Sequence, residues 1–226
     1  MKKLLKTTLA TAVISMAAVL PAQAEISGNV SLGSDYLFRG VSQTGGDFTI
    51  QGGFDFEAEN GFYAGVWGSN VTFAASSELD LYVGFAGDLT DTVGFDIGII
   101  QYEYPGAGQA DLDFTEIYGS LSYGGLTGGV AISNNLGDYE SVYTNISYGF
   151  EIGSDISVSL FGGITEYDKA FWGSEDSYTD YGIALGKSYG GVDFAITLTD
   201  TNLSNADCGG TDDCDATVSF SISKSL

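Results

Sequence analysis

The chain has 226 residues, of which 30 are acidic, 7 are basic and none is histidine, and its formal net charge is −23. A field of that sign repels nucleic acid and attracts cations. The lack of histidine excludes Ser-His-Asp hydrolases and histidine-ligated metal centres.

The N-terminal segment has the pattern of a secretory signal peptide. Three lysines in the first six residues precede an apolar run at 9–20, and Ala-Gln-Ala at 22–24 offers a small-residue cleavage site. A membrane anchor is the alternative, but the run is short for a membrane helix. We expect residues 1–24 to be removed after Sec-dependent export and residues 25–226 to form one domain. Removal takes away three basic residues and no acidic one, which leaves a net charge of −26.

Apolar and polar residues then alternate with a period of two, about a dozen times along the chain. Phe54 and Phe56 fall on one face of such a segment, and Asp55 and Glu57 fall on the other. One face suits lipid and the other suits water. Beyond residue 24, no segment has the eighteen or more apolar residues of a membrane helix, so a closed barrel is the structure expected to cross the bilayer.

The alternation predicts twelve strands. The first three cover 25–38, 48–59 and 61–73, and a tight Asn60-Gly61 turn joins the second to the third. The later strands are marked by apolar faces that run from Leu79 to Phe85, Val93 to Ile99, Ile117 to Tyr123, Leu126 to Ile132, Val142 to Phe150, Ile156 to Ile164, Tyr181 to Leu185, Val192 to Leu198 and Val218 to Ile222.

Short and long connectors alternate between these strands. The longer ones are expected at 41–47, 74–78, 104–113, 134–140, 167–177 and 199–215. Outer-membrane barrels have short periplasmic turns and long external loops, and an even strand number places both termini in the periplasm. We therefore expect an all-β, transmembrane, up-and-down antiparallel β-barrel in the outer membrane of a Gram-negative cell. A soluble sandwich or a secreted barrel is the alternative.

Aromatic residues near the predicted strand ends are expected to form the interfacial girdles of such a barrel. They are Tyr36, Phe62, Tyr123, Tyr148, Phe150 and Tyr189.

Three motifs carry a family resemblance: SDYLFRGVSQ at 34–43, QGGFDFE from Gln51, and GFYAGVWGSNV at 61–71. With them the chain resembles the Gcw_chp family of proteobacterial envelope proteins, also described as the TorF family of porin-like proteins. The resemblance covers essentially the whole of 25–226 and implies an outer-membrane barrel in a family of largely unknown function. One departure is Leu226, since the signal read by the barrel-assembly machinery usually ends in an aromatic residue.

The water-facing side of the predicted strands is acidic. Strand parity places on it Asp55, Glu57, Asp80, Asp96, Glu116, Asp180 and Asp193. Arg39, the only arginine, is expected to point inward beside Asp35, where it either pairs with that carboxylate or lines a constriction. Acidic rings favour cations, so these residues predict a narrow, cation-preferring channel for passive diffusion of small solutes.

A barrel of twelve strands lies between filled eight-stranded barrels and open sixteen-stranded ones. A non-conducting barrel that stabilises the membrane, or binds partners through its acidic loops, is therefore the alternative function. Carboxylates such as Asp55 and Glu57 could do acid–base chemistry, but they are also the ordinary means of keeping a lumen wet. We predict neither a cofactor nor a catalytic residue. The expected partners are the bilayer, lipopolysaccharide, small solutes or cations, and the barrel-assembly machinery.

The last long loop contains Cys208 and Cys214, which predict a small disulfide loop in an oxidising compartment. The same loop carries four acids that could supply oxygen ligands to Ca²⁺, although their spacing differs from that of an EF-hand. They are Asp207, Asp212, Asp213 and Asp215. A solvated acidic loop is the alternative.

Overall fold

A computed structural model of the protein describes residues 25–107, 112–153 and 155–226. The predicted signal peptide, residues 1–24, lies outside the described residues. In the part of the chain that is described, no helix has the length and hydropathy needed to cross a membrane.

The described residues contain fourteen β-strands. In chain order they are β1 (Glu25–Gly33), β2 (Leu37–Phe38), β3 (Val41–Ser42), β4 (Thr49–Glu57), β5 (Phe62–Asn70), β6 (Ser77–Asp88), β7 (Val93–Glu103), β8 (Phe114–Tyr123), β9 (Leu126–Leu136), β10 (Tyr139–Ile152), β11 (Ile156–Tyr167), β12 (Ser177–Tyr189), β13 (Val192–Thr201) and β14 (Thr217–Ser225).

Twelve of these strands close an antiparallel barrel. From β4 to β14 each strand pairs with its neighbours in sequence, and β1 completes the ring by pairing with both β4 and β14. The two remaining strands, β2 and β3, pair only with each other. The prediction of a twelve-stranded, up-and-down antiparallel barrel is confirmed.

The outer surface of the barrel is apolar all the way round. Each of the twelve barrel strands exposes at least one large apolar side chain, for example Phe54 on β4, Ile146 on β10 and Phe220 on β14. Exposure of such a belt to water is unfavourable, whereas its contact with lipid hydrocarbon is favourable. The outer surface of a membrane barrel faces lipid in this way.

On the inner wall, several tyrosine rings lie flat over glycines of the neighbouring strand. A Cβ atom at each of these glycines would collide with the ring, in the pairs Gly65 with Tyr82, Gly84 with Tyr63, and Gly98 with Tyr118. Glycine at these positions therefore lets the rings lie along the wall instead of projecting across the lumen.

The predicted boundaries differ most from the structure in two places. The first barrel strand ends at Gly33, not at residue 38, because the next residues leave the wall and turn into the barrel. The external loop predicted at 134–140 is almost entirely strand, since β9 and β10 continue until only Gly137 and Asp138 separate them. Gly137 has a φ of 56°, which a tight two-residue connection of this kind requires. Long and short connectors consequently do not alternate strictly.

The apolar belt yields a prediction at the middle of β10, where Ile146 faces outward and Asn145 faces inward. Ile146→Arg should lower the free energy of unfolding in lipid vesicles by about 2–4 kcal/mol, because the charge would face hydrocarbon. The matched control Asn145→Arg should cost much less, since its side chain enters the lumen. Urea titrations read by heat-modifiable gel migration measure both, and equal losses would contradict a lipid-facing belt.

Candidate functional site

After β1, the chain folds back into the barrel as a short hairpin. Its strands β2 and β3 are joined by Arg39 and Gly40, with φ values of 48° and 82°. Positive φ at both central residues is characteristic of the two-residue turns that match the twist of a hairpin. We refer to residues 37–42 as the luminal hairpin.

The luminal hairpin crosses the lumen from one wall to the other. A Cβ atom on Gly40 would lie 2.7 Å from Cγ2 of Thr201 on β13. On the other side, the ring of Phe38 lies edge-on to Tyr102 of β7, with 6.0 Å between the ring centroids. Six strand positions separate β13 from β7 in the ring of twelve. The hairpin therefore lies across the opening instead of along one side of it.

Arg39, at the tip of the luminal hairpin, forms a buried ion pair with Glu116 of β8. Its Nη2 atom donates to both carboxylate oxygens at 2.8 Å, and the residues are only 8% and 2% exposed. The guanidinium carbon also lies 4.2 Å from the ring centroid of Tyr143 on β10. Burial alone would lower the pKa of Arg39, but Glu116, with Tyr102, outweighs that effect and raises it, so the guanidinium stays charged.

The expected partner of Arg39, Asp35, is not the one observed. Asp35 instead accepts hydrogen bonds from the hydroxyls of Ser42 and Thr44, at 2.6 and 2.7 Å. These bonds tie the two ends of the hairpin together, whereas the turn carries Arg39 across to the opposite wall. Strand parity placed Arg39 inward but could not foresee this reversal of the chain.

Four nearly buried carboxylates lie at the level of the luminal hairpin, within five residues of the strand ends on that side of the barrel. We call Glu78, Asp80, Glu116 and Asp180 the upper acidic layer; they are 3%, 4%, 2% and 0% exposed. Tyrosine hydroxyls donate to three of them: Tyr36 to Glu78 at 2.6 Å, Tyr102 to Glu116 at 3.3 Å, and Tyr143 to Asp180 at 3.3 Å.

Two oxygens of this layer have no hydrogen-bond partner, namely Oδ1 of Asp80 and Oδ1 of Asp180. Asp80 also lies close enough to Glu78 and Glu116 to interact with both electrostatically. Buried carboxylate oxygens without a partner are costly, so the layer as a whole favours additional positive charge.

Sequence reasoning missed Glu78 and misplaced Tyr36. Glu78 fell inside the predicted loop at 74–78, although extending the parity of Asp80 back by two residues would have found it. Tyr36 was expected in an exterior girdle, but it is 6% exposed and packs edge-on against Trp67 inside the barrel, with ring centroids 5.5 Å apart.

The other predicted carboxylates lie nearer the opposite end of the barrel, where tight turns join the strands. Tyr82 donates to Asp55, Ser188 donates to Asp193, and Tyr63 donates to Asp96 at 2.6 Å. Glu57 is half-buried near the end of β4. The predicted acidic set thus occupies two levels, and the upper level is the one that holds the luminal hairpin.

The remaining inner wall, from β9 to β14, consists mainly of small residues and hydroxyls. Two of its buried hydroxyls, those of Ser147 and Ser159, have no hydrogen-bond partner. Carboxylates and tyrosines thus concentrate on the side from β4 to β8, and hydroxyls concentrate on the opposite side.

A disulfide loop covers the luminal hairpin from outside. Cys208 and Cys214 are bonded, with their Cα atoms 6.3 Å apart, and both belong to the buried apolar cluster that contains Val41 of the hairpin. The amide of Ser42 donates to the carbonyl of Asp213 at 2.8 Å. The loop therefore supports the hairpin on the face that Arg39 does not reach.

Three of the four acids considered for Ca²⁺ accept hydrogen bonds within this loop. Asp207 accepts from the Ser204 hydroxyl at 2.6 Å, which lowers the pKa of Asp207. Asp213 accepts from Thr211 at 2.8 Å, and Asp215 accepts from Asn205 at 3.2 Å. Among the described residues, which include Asp212, no group of three or more His, Cys, Asp or Glu side chains is placed so that it could hold a metal ion.

Comparison with known proteins gives a family and a fold. A family model described as a bacterial protein of unknown function (Gcw_chp) matches residues 18–226. No curated protein has a significant sequence match to the chain. The NanC porin is similar in structure, with a TM-score of 0.55 and 13% identity over 87% of this chain and 97% of that chain. The KdgM porin has a TM-score of 0.55 and 6% identity, over 89% and 99%. Identities this low show a common fold alone.

Substitution of Gly40 tests the position of the luminal hairpin. Gly40→Ala should displace the hairpin because the new Cβ would collide with Thr201. Gly46→Ala is the matched control, since Gly46 has a similar φ of 78° with nothing within 4 Å. Arg39 is the only arginine, so an arginine-specific protease reports its exposure. Overpacking of about 1.4 kcal/mol would speed cleavage of Gly40→Ala about tenfold. Equal cleavage rates in the two variants would contradict the observed packing.

Proposed function

The chain belongs to the Gcw_chp family of bacterial proteins of unknown function, and we propose that it is an outer-membrane channel for small cations and small neutral solutes that the luminal hairpin holds closed. The observation that carries this proposal is a closed barrel with an apolar exterior, an acidic interior and a hairpin across its lumen. Its fold similarity to the NanC and KdgM porins supports passage of solutes as the role of the lumen.

The proposed location is the outer membrane of a Gram-negative cell. The apolar belt supports insertion in a bilayer, and the pattern of residues 1–24 supports export by the Sec pathway with removal of that segment. We further propose insertion by the barrel-assembly machinery and contact of the acidic external loops with lipopolysaccharide through divalent ions.

Cation preference is proposed from the charge of the lumen. The upper acidic layer and the lower group of Asp55, Glu57, Asp96 and Asp193 place carboxylates at two depths along the path. Rings of carboxylates lower the energy of a cation in a narrow pore and raise that of an anion. Because the tyrosine rings lie along the wall, they do not narrow the lumen through which a solute would pass.

The protein is proposed not to be an enzyme. Its chain contains no histidine, and three of the four carboxylates of the upper acidic layer, those of Glu78, Glu116 and Asp180, accept hydrogen bonds from tyrosines or bind Arg39. An ion pair and tyrosine hydrogen bonds suit structural closure better than proton transfer to a substrate.

Conductance of residues 25–226 in planar bilayers tests the proposal. Wild-type protein should show small or rare currents, and Arg39→Gln should increase the mean current about tenfold or more, because breaking a buried ion pair costs about 3–5 kcal/mol. Lys169→Gln is the matched control, since it removes one positive charge from the exposed loop between β11 and β12. A KCl gradient should give a reversal potential of the sign expected for cation preference.

Two results would overturn this function. If wild-type and Arg39→Gln barrels are both folded, as shown by heat-modifiable migration, and both are silent, the protein is a non-conducting barrel. If wild-type protein already conducts as well as Arg39→Gln, the hairpin does not close the lumen.

A further inference from the structure

The guanidinium of Arg39 is bound in the lumen much as a separate ligand would be. Nη2 donates to both oxygens of Glu116 at 2.8 Å, and the guanidinium carbon lies 4.2 Å from the ring centroid of Tyr143. A carboxylate at one edge of a planar cation and an aromatic face over it are the two contacts that recognise guanidinium groups.

The site around this guanidinium contains more carboxyl groups than Arg39 can pair with. The upper acidic layer contributes four carboxylates, whereas Arg39 is the one basic residue that the described structure places in the lumen. Asp180 lies next to the hairpin turn and interacts electrostatically with Arg39. Its Oδ1 atom, like that of Asp80, is buried without a hydrogen-bond partner. Two acceptors in the same layer therefore remain available to a donor-rich cation.

Arg39 reaches this site in a backbone conformation that costs energy. Its φ of 48° lies in the left-handed region, which residues other than glycine rarely adopt. The contacts with Glu116 and Tyr143 offset that cost. A small cation with the same head group makes those contacts without the strain of the turn, although it lacks the advantage of being tethered to the site.

We propose that Glu116, Tyr143 and the unpartnered Oδ1 atoms of Asp80 and Asp180 form a binding site for guanidinium-type organic cations, which Arg39 occupies when the hairpin lies across the lumen. The proposal rests on the proposed function in that it names a class of solute for the same lumen. Such a cation binds where the hairpin has withdrawn, and it competes with the return of Arg39.

Thermal unfolding of the Arg39→Ala barrel with methylguanidinium chloride tests this site at constant ionic strength. The midpoint temperature of unfolding, read by heat-modifiable gel migration, should rise with methylguanidinium concentration and then saturate. Half of the rise should be reached at a millimolar concentration of methylguanidinium. Wild-type protein should need about tenfold or more ligand, because tethering gives Arg39 an effective concentration of about millimolar or higher. Tetramethylammonium, which has no N–H donor, should have no such effect.

Two double variants locate the site. Arg39→Ala with Glu116→Gln should weaken the response about tenfold or more, since it removes the charged acceptor. Arg39→Ala with Glu140→Gln should retain the response, because Glu140 is exposed at the external end of β10. If Arg39→Ala does not fold, Arg39→Gln replaces it in all measurements.

Equal stabilisation by tetramethylammonium, an unchanged response after Glu116→Gln, or equal responses in wild-type and Arg39→Ala protein would each overturn the proposal. The readout does not require conduction. A barrel that binds methylguanidinium and stays silent therefore contradicts the channel alone, whereas a conducting barrel without this binding contradicts the cation site alone.

Discussion

Arg39 and Glu116 bury opposite charges in a lumen whose other described ionisable side chains are carboxylates and tyrosines. Taking both charges out of water is expensive, and the pair offsets that cost only while the two groups remain in contact. Glu116 without Arg39 would be one more unneutralised carboxylate beside Asp80. The position of the luminal hairpin across the lumen therefore depends strongly on this contact.

Other contacts decide how the hairpin fits once its charge is neutralised. On the wall opposite Glu116, the turn approaches Thr201 and Asp180 so closely that only glycine fits at position 40. From outside, the disulfide loop packs against Val41. The ion pair thus fixes the hairpin against the wall at Glu116, close packing fixes it against Thr201 and Asp180, and the disulfide loop covers it.

The barrel itself could be predicted from the sequence because its period of two extends through nearly every strand. An apolar outer face and a polar inner face repeat from β4 to β14, so strand number and the side on which Asp80, Glu116 and Asp180 lie follow from parity. Strand ends were less predictable. At 134–140 polar residues suggested a loop, but backbone pairing continues through them because Gly137 permits a tight turn.

The luminal hairpin could not be predicted from the same pattern. Residues 34–38 contain no glycine or proline to mark the end of a strand, and Arg39-Gly40 is not among the usual turn pairs such as Asn-Gly. The sequence contains one weaker indication of an unusual element here. The only arginine of an acidic chain lies next to Phe38, at the predicted strand end. The partner of Arg39 could not be identified from the sequence, because Glu116 lies 77 residues further along the chain.

A double-mutant cycle on Arg39→Gln and Glu116→Gln tests the central ion pair most directly, with unfolding free energies measured in vesicles. We predict that Arg39→Gln alone costs about 3–5 kcal/mol, because it leaves Glu116 buried and unpaired. The double variant should be more stable than Arg39→Gln alone, with a coupling energy of about 1.5 kcal/mol or more. Additive effects, with the double variant less stable than either single one, would contradict the dependence of the closed lumen on this contact.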